Sequence, residues 1–493
     1  MILHRLYIIL ILCFCSLFIN AQSEASIHKE ADKLMGFNFP DTYKSALDLL
    51  VGLDEKNNGS KPLYRYKIAI CYLKTNINKK KGLDYLLSIK RNEEEFGYGY
   101  YYYLGLAYHY SYQFDNAITA FNQFISLSKR KDKRRKEVLE LINTCKYAKE
   151  LYNNPLDVNV LNLGSMINSD GSDNTPVIAA DETILLFTSR RSGSIGGLMN
   201  VYGKEDKING DYFEDIFVSY KVQNNWLRPM NIGSQINTKV HDAVIGLSPD
   251  GQRMYVYKSD NNGMGNIFFS DLNGDKWKKP EKMPNPINSN YWEGSCSVTS
   301  DGKEIYFSSN RPGGFGGKDI YMCRKLPDGN WGQPINLGST INTTANEDAP
   351  FIHVDGKTLY FSSKGHSTMG GYDVFKAVNE NGTWSEVVNM QYPINTTEDD
   401  INFVLSADGS TGYYSCTKEG GFGNQDIYLI DLNNANELRP DEIVLVVGKV
   451  YGQDGEIPQD AKLYISTVAG EEIGTYKINQ VTGKYLSVIP KSG

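Results

Sequence analysis

The chain has 493 residues, of which 41% are hydrophobic and 22% are charged; this is ordinary for folded proteins and excludes wholesale disorder and collagen-like repeats. At roughly 100–200 residues per domain, the length predicts about three domains. The 51 Lys and Arg residues against 58 Asp and Glu residues give a net charge of −7, so the chain as a whole lacks the basic field that binds nucleic acid.

The first 21 residues have the pattern of a secretory signal peptide. Arg5 supplies a positive charge, an apolar stretch covers 6–19, and Ala21 is a small residue at a suitable cleavage position before Gln22. The apolar stretch is 14 residues long, which is shorter than the roughly 20 residues that span a bilayer. We expect cleavage after Ala21 and export of a soluble mature chain, with an uncleaved membrane anchor as the alternative.

Five cysteines follow the expected cleavage site, and they are odd in number and widely scattered. Disulfide frameworks and zinc sites normally need clustered cysteines. We therefore predict single buried thiols, with no disulfide framework and no metal site. The five residues are Cys71, Cys145, Cys296, Cys323 and Cys416.

Residues 22–153 are predicted to form helical repeats. Apolar residues recur at helical spacing, most clearly in the segment YYYLGLAY at 101–108 and at Ala117 and Phe121 further on. This segment resembles the tetratricopeptide pattern, in which Gly105 and Ala117 allow two antiparallel helices to pack closely. A weaker copy lies 36 residues earlier. We expect a solenoid of helix pairs that bury a core by stacking.

Two features of this helical region are candidates for partner binding. The stretch 98–112 contains eight tyrosines, and Tyr101, Tyr108 and Tyr112 are the ones we name as lining a groove for a peptide. The alternative, which we favour for any single tyrosine, is packing in the core. The run KRKDKRRK at 129–136 could contact an acidic partner, or it could be the solvated start of a helix.

An internal repeat of about 50 residues dominates residues 155–433. The dipeptide Ile-Asn recurs five times, at steps of 69, 51, 54 and 53 residues. Each copy continues with an acidic residue, a turn that is Asp-Gly in four copies, a short strand, a glycine-rich connection and a second strand. The asparagines are Asn168, Asn237, Asn288, Asn342 and Asn395, and the acidic residues are Asp173, Asp242, Glu293, Asp348 and Asp400.

Short strands at a fixed period of this length predict a β-propeller. The segment VNVLNLG at 158–164 resembles the outer strand of a later copy but precedes the first complete copy, so it can complete the last blade and close the ring. Closure removes the exposed sheet edges. The copies give five blades, and a sixth blade would require hidden strands in the insert around 192–212.

The propeller copies, above all SSNRPGGFGGKDIY at 308–321, resemble the WD-repeat-like propellers related to the periplasmic translocation protein B. The segment SDLNGDKW at 270–277 has the Ser, Gly and Trp of a sialidase Asp box, but Leu272 occupies the position of the Asp. The sequence contains neither a G-x-S-x-G elbow nor an H-E-x-x-H motif. We therefore predict that the chain is not an enzyme and has no catalytic residues or cofactor, although the repeated acids could also bind calcium.

After a polar linker at 434–442, residues 443–493 are predicted to form four strands. The layout, with GKVYG at 448–452 and TGKYLSVIP at 482–490, resembles the carboxypeptidase-regulatory-like β-sandwich. Such a sandwich needs more strands to cover both faces. We expect the sandwich in this chain to be incomplete.

Signal peptide, tetratricopeptide-like helices, five-copy propeller and regulatory-like sandwich occur in this order in the outer-membrane-protein-A family of Bacteroidetes, which the chain resembles. The resemblance implies a multidomain α plus all-β fold with a helical solenoid, a propeller and a partial sandwich. It also implies a periplasmic, outer-membrane-associated scaffold without enzymatic activity, which binds proteins of a type IX secretion or gliding complex.

In that family, peptidoglycan is bound by a further C-terminal domain, which would follow residue 493 in this chain. Neither nucleic acid nor a transmembrane segment is expected. The alternative from a different functional class is a periplasmic propeller enzyme or a glycan-binding sensor.

Overall fold

The computed structural model of the protein describes residues 23–202, 204–207, 210–259, 265–458, 461–470, 472–479 and 481–490. The chain divides into two compact units, of which one extends to Lys146 and the other begins at Tyr147. The expected signal peptide lies outside the described residues. Within the described ranges, no helix is long and apolar enough to cross a membrane.

The first unit is built from helices that pack as consecutive hairpins. The α-helices of the described chain are α1 (Glu24–Gly36), α2 (Pro40–Lys56), α3 (Pro62–Lys74), α4 (Lys80–Ser88), α5 (Glu93–Phe96), α6 (Tyr98–Tyr110), α7 (Phe114–Leu127) and α8 (Arg134–Asn153). Helix α1 packs on α2, α3 on α4 and α6 on α7, and α8 continues across the boundary into the second unit. The stacked helix pairs confirm the helical region that the repeat pattern predicts.

Gly105 allows the close packing of α6 and α7. A Cβ atom at this position would overlap the ring of Phe121, which is completely buried together with Ala117. Any larger residue in place of the glycine would push the two helices apart. The structure therefore gives Gly105 the role that the sequence pattern predicts.

The second unit contains a five-bladed β-propeller, in which every blade is an antiparallel sheet. Strand β1 (Asn159–Asn162) precedes the blades. Blade I contains β2 (Asp173–Ile178), β3 (Ile184–Ser189), β6 (Asp215–Val222), β7 (Asn225–Trp226) and β8 (Met230–Asn231), and the insert between β3 and β6 carries the separate strands β4 (Leu198–Met199) and β5 (Asp211–Tyr212). Blade II contains β9 (Ala243–Leu247), β10 (Arg253–Ser259), β11 (Gly265–Asn273), β12 (Lys276–Trp277) and β13 (Glu281–Lys282).

Blades III to V repeat the same plan. Blade III contains β14 (Glu293–Val298), β15 (Glu304–Ser309), β16 (Asp319–Arg324) and β17 (Ile335–Asn336). Blade IV contains β18 (Glu347–Ile352), β19 (Thr358–Ser363), β20 (Asp373–Glu380), β21 (Thr383–Trp384) and β22 (Val388–Asn389). Blade V contains β23 (Ile401–Leu405), β24 (Thr411–Cys416) and β25 (Asp426–Asp431).

The ring is closed by β1, which pairs antiparallel with β25 from Asn159 opposite Asp431 to Asn162 opposite Tyr428. The N-terminal strand therefore supplies the outer strand of blade V, as the early copy of the outer-strand sequence predicts. In the described part of the insert in the first copy, β4 and β5 form only a small separate hairpin. The propeller has five blades and not six.

The first strands of the five blades surround the propeller axis. Strands β2, β9, β14, β18 and β23 each contact the first strands of the neighbouring blades. The space between them on the axis is only about 30 Å³, which is room for about one or two water molecules. The axial channel is therefore filled along this stretch by the side chains of the inner strands.

The two faces of the propeller differ in their connections, because successive turns of an antiparallel blade lie at opposite ends. The turn face carries the turns between first and second strands. There Gly251, Gly302, Gly356 and Gly409 have φ between 69° and 75°, a conformation that glycine adopts without strain. The loop face carries the glycine-rich connections between second and third strands, together with the Ile-Asn turns.

The C-terminal strands pack on the turn face. Strand β26 (Ile443–Lys449) pairs with β29 (Lys484–Pro490), and β27 (Lys462–Ser466) pairs with β28 (Glu472–Lys477). Leu486 and Val488 form a small buried cluster with Ala180, Val354 and Ala407, which follow three of the inner strands. The C-terminal strands thus cover the mouth of the axial channel on the turn face.

Candidate functional site

The recurring asparagine of each repeat clamps the third strand of a blade. Asn237 accepts a hydrogen bond from the N–H of Ile216 at 2.9 Å and donates one to its carbonyl oxygen at 3.0 Å. The same pair of hydrogen bonds joins Asn168 to Ile427, Asn288 to Ile267, Asn342 to Ile320 and Asn395 to Val374. The Ile-Asn signature is therefore a structural element of the fold.

The recurring acidic residue closes the same turn. Asp400 accepts hydrogen bonds from the backbone N–H and the hydroxyl of Thr396, at 2.6 and 2.9 Å. The equivalent residues in the other copies are Asp173, Asp242, Glu293 and Glu347. The fourth copy departs from the sequence interpretation, which places Asp348 in this role.

Asp348 has a different role because adjacent residues of a strand point to opposite faces. Its carboxylate accepts hydrogen bonds from the hydroxyls of Ser295 and Ser308 and pairs with Lys318 at 2.8 Å. The acids that the sequence offers as calcium ligands thus accept hydrogen bonds from serine and threonine, and arginine or lysine side chains pair with Asp173, Asp242, Glu293 and Asp348. Over the described ranges, no group of three or more His, Cys, Asp and Glu side chains could hold a metal ion.

A second carboxylate in four of the blades holds the glycine-rich loop of the loop face. Asp319 begins β16, and it accepts hydrogen bonds from the backbone N–H of Phe315 at 2.6 Å and from the Asn336 side chain at 2.7 Å. Asp426 binds the N–H of Phe422 and the Asn162 side chain in the same way, at 2.7 and 2.8 Å. The equivalent acids are Asp215, which holds Ile195, and Asp373, which holds Met369.

Glycines bring these loops into contact with the next blade. A Cβ atom on Gly316 would collide with the carbonyl oxygen of Ala345, and one on Gly423 would collide with that of Gly171. The N–H of Gly317 also donates to the Ala345 carbonyl at 2.7 Å. Each loop is therefore held by two kinds of contact, with the buried carboxylate of its own blade and with the backbone of the following blade.

The two loops display phenylalanine rings to solvent from this fixed backbone. Phe315 is 49% exposed and Phe422 is 48% exposed, whereas Met369 at the equivalent position of blade IV is buried. Both rings follow the same local sequence, GGFG at 313–316 and 420–423. We call Phe315 and Phe422 the anchor phenylalanines.

Further aromatic rings on the loop face are held by lysines. The Nζ atom of Lys318 lies 3.7 Å from the ring centre of Trp292, and that of Lys364 lies 4.4 Å from the ring centre of Tyr372. Lys364 also pairs with Asp399 at 3.2 Å. These cation–π contacts fix the positions of half-buried rings beside the exposed ones.

The boundary between blades IV and V buries two carboxylates close together. Burial raises the pKa of Asp400 to about 7, and burial together with the charge of Asp400 raises the pKa of Asp373 well above its ordinary value. Lys418, whose positive charge opposes the rise in the Asp400 pKa, donates to the carbonyl oxygen of Pro393 at 3.0 Å. Among the described residues, neither carboxylate forms a salt bridge.

The tyrosines named from the sequence occupy two different places. Tyr101 and Tyr108 are half-buried and share one face of α6, because they are two helical turns apart. Tyr112 lies in the following turn with a φ of 59°, and the Nζ atom of Lys80 is 5.9 Å from its ring centre. Burial, together with a hydrogen bond to Glu93, raises the pKa of Tyr101. Peptide binding by these three residues stays a prediction.

The structure confirms the predicted burial of the five thiols that follow the expected cleavage site. Cys71, Cys145, Cys296, Cys323 and Cys416 are all buried and free. Burial raises the pKa of the Cys71, Cys145 and Cys323 thiols to about 12. Buried thiols of this kind pack as small apolar side chains.

Sequence reasoning missed the anchor phenylalanines, although the sequence carries a signal for them. The GGFG segment occurs in two copies, each ending three residues before the aspartate that opens the third strand. The repeated segment could have singled out these two positions, whereas the exposure of the rings depends on the fold, since Met369 at the equivalent position of blade IV is buried.

Comparisons with known proteins give limited similarity. No family profile and no curated protein matches the sequence. Among solved structures, TolB from Acinetobacter baumannii is 17% identical over 62% of this chain and 71% of its own length, with a TM-score of 0.34. A putative TolB from Agrobacterium tumefaciens is 13% identical, over 68% of this chain and 98% of its own, with a TM-score of 0.32.

A thermostable family-43 glycoside hydrolase is 16% identical, over 54% of this chain and 91% of its own, with a TM-score of 0.35. Similarities at this level leave the function open. The assignment of the propeller rests on the strand pairing within the chain itself.

Proposed function

We propose that the chain is an exported, non-enzymatic scaffold whose propeller binds a protein partner through the loop face. The observation that carries this proposal is the presentation of Phe315 and Phe422. Each ring is about half exposed, and each is attached to a backbone N–H that a buried aspartate holds at 2.6 or 2.7 Å. Exposed apolar rings on a fixed backbone are what a protein interface needs.

The energetic argument follows from the cost of binding. Aromatic residues provide much of the affinity at protein interfaces, and a surface that is ordered before binding loses little conformational entropy on association. The loops of blades III and V are ordered by Asp319 and Asp426 and by contacts with the following blades. The C-terminal strands occupy the turn face, so we place the partner on the loop face.

The location and the wider assembly belong to the same proposal. The signal-peptide pattern and the order of the domains support a periplasmic protein associated with the outer membrane. The same order supports a role in a type IX secretion or gliding complex, with peptidoglycan bound by a further C-terminal domain. The helical unit, with Tyr101, Tyr108 and Tyr112, would offer a second protein-binding surface.

The experiment compares two double variants of the full mature chain. Phe315→Ser with Phe422→Ser removes both anchor phenylalanines, and Ile335→Ser with Val388→Ser is the matched control, because these residues are 51% and 42% exposed on outer strands. Tagged proteins are used to isolate partners from periplasmic extract, and the partner is then purified and its affinity measured. We expect the anchor variant to lose binding and the control to retain it.

Three other results would contradict parts of this proposal. If both variants bound the partner equally well, the loop face would not be its binding surface. Turnover of a glycan or peptide by the purified chain would favour the alternative, a periplasmic propeller enzyme. Saturable binding of a defined glycan without any protein partner would favour a glycan-binding sensor.

A further inference from the structure

The basic run KRKDKRRK at 129–136 forms the turn between α7 and the start of α8. Seven of its eight residues are Lys or Arg, in a chain whose net charge is −7. The proposed role of the loop face does not involve this turn, which lies in the helical unit. Its charge is therefore a separate feature that needs an explanation of its own.

The structure divides the basic residues of the run into two groups. Arg134 and Arg135 are structural. The Arg134 guanidinium lies 5.1 Å from the ring centre of Phe124 and binds the Asp132 carboxylate at 3.2 and 2.9 Å. Arg135 donates to the carbonyl oxygens of Ile125 and Ser128 at the end of α7. These contacts fix the turn against both helices.

The second group is displayed to solvent. It contains Lys129, Arg130, Lys131, Lys133 and Lys136, all of which are exposed. Among the described residues, only Lys136 in this group has an ion pair, which it forms with Glu140 at 3.7 Å. The single acid of the run, Asp132, is already bound to Arg134, a hydrogen bond that lowers its pKa to about 2. Four cations are therefore left without an acidic partner.

The surroundings of the turn distinguish between classes of partner. Leu127 at the end of α7 is 52% exposed, and Leu139 in the first turns of α8 is 53% exposed. The backbone closes tightly, with the Asp132 N–H donating to the Lys129 carbonyl at 2.9 Å. Successive residues of this turn are exposed, so it projects from the helices and does not line a groove that could enclose an acidic peptide.

We propose that the α7–α8 turn binds the surface of an anionic lipid bilayer. A cluster of four or more Lys and Arg residues is attracted by the potential of such a surface, and flanking apolar side chains add binding by entering the interface. Lys129, Arg130, Lys131 and Lys133 contact the headgroups, while Leu127 and Leu139 lie at the edge of the contact. The attraction weakens with added salt, because the charges are exposed.

The test is flotation of the mature chain with lipid vesicles. Vesicles of phosphatidylglycerol and phosphatidylethanolamine are compared with vesicles of phosphatidylcholine alone. The variant K129E/R130E/K131E/K133E reverses the displayed charges, and K276E/K278E/K279E/K282E is the matched control, since these four lysines are exposed in blade II. Circular dichroism confirms that each variant is folded.

We expect the unaltered chain and the control to bind the anionic vesicles and not the neutral ones. The turn variant should bind about tenfold more weakly or worse, because each cation near the surface adds to the attraction. The proposal is overturned if the unaltered chain does not bind anionic vesicles, or if both variants lose binding equally. The proposal is also overturned if the chain binds polyglutamate tightly through this turn but does not bind the anionic vesicles in the same buffer. The partner would then be an acidic protein segment.

Discussion

Asn168 and Ile427 are 259 residues apart in the sequence, yet the Asn168 side chain pairs with both the N–H and the carbonyl oxygen of Ile427, at 2.9 and 3.0 Å. In the other four copies, the same clamp joins residues that are 21 or 22 positions apart. Asn168 therefore joins the two ends of the ring by the same hydrogen bonds that its counterparts form between segments close in sequence. It acts beside β1, which pairs with β25 to close the propeller.

Replacing Asn168 by alanine should weaken this closure. The substitution leaves the buried N–H of Ile427 without a partner and removes one of the two donors to its carbonyl oxygen, to which the N–H of Leu163 also donates. The unpaired N–H costs about 1–3 kcal/mol. Urea unfolding followed by tryptophan fluorescence measures the change. Asn225→Ala is the control, because the Asn225 side chain is exposed and bonds only to a nearby carbonyl. Equal stability of the two variants would contradict the role of the clamp.

Gly105→Ala should destabilise the helical unit by about 1–3 kcal/mol, because the new methyl group overlaps the buried ring of Phe121. Gly52→Ala is the matched control in α2, where a Cβ atom has nothing within 4 Å. That change should stabilise the helix by about 0.5–1 kcal/mol, since alanine favours helix over glycine. Thermal unfolding of the full chain, followed by circular dichroism at 222 nm, compares the stabilities of the two variants. A Gly105→Ala variant as stable as the unaltered chain would refute the packing argument.

Acidification should stabilise the boundary between blades IV and V. The pKa of Asp400 is raised by burial to about 7, so the folded chain binds more protons than the unfolded chain between about pH 4 and pH 7. Stability from this group is therefore gained as the pH falls from 8 to 5, by on the order of 2–4 kcal/mol, relative to Asp400→Asn.

Unfolding free energies of the unaltered chain and Asp400→Asn at the two pH values test this directly. Asp355→Asn is the control: burial raises the pKa of Asp355, but the neighbouring His353 side chain and the hydrogen bonds from Thr358 lower it to about 2. The contribution of Asp355 to the free energy of unfolding is constant between pH 5 and pH 8 and is lost only at lower pH. A difference between the unaltered chain and Asp400→Asn that does not change with pH would rule out the raised pKa.

Thiol labelling should be slow in the folded protein. All five cysteines from Cys71 onward are buried, and burial raises the pKa of three of them to about 12. A thiol reagent at pH 8 should therefore modify none of them quickly and all five after unfolding in guanidinium. Seven modified thiols would show that the signal sequence with its two cysteines is still attached. Rapid labelling of the folded chain would contradict the burial.

The sequence was sufficient to predict the five-bladed propeller, because its copies repeat one local pattern. Five copies of the Ile-Asn turn fixed the blade count, and the displaced copy at 158–164 predicted the closure of the ring. Gly105 could be interpreted from the helix pattern in the same way. In each case, one local pattern has one physical explanation.

The site was less predictable because exposure depends on contacts between distant segments. Phe315, Met369 and Phe422 occupy equivalent positions, yet only the two phenylalanines are exposed. The exchange of roles between Glu347 and Asp348 has a similar origin, because the partners of Asp348 belong to blade III, namely Ser295, Ser308 and Lys318. Neither outcome is determined by the local sequence.

The most direct test of the proposed function is site-specific photo-crosslinking in cells that contain the partner. A photoreactive phenylalanine is placed at position 315 or 422 of the full chain, and at 335 or 388 as controls of similar exposure. The account predicts the same crosslinked protein from 315 and 422 and none from 335 and 388. Crosslinks from the control positions alone, or none from either anchor position, would contradict it.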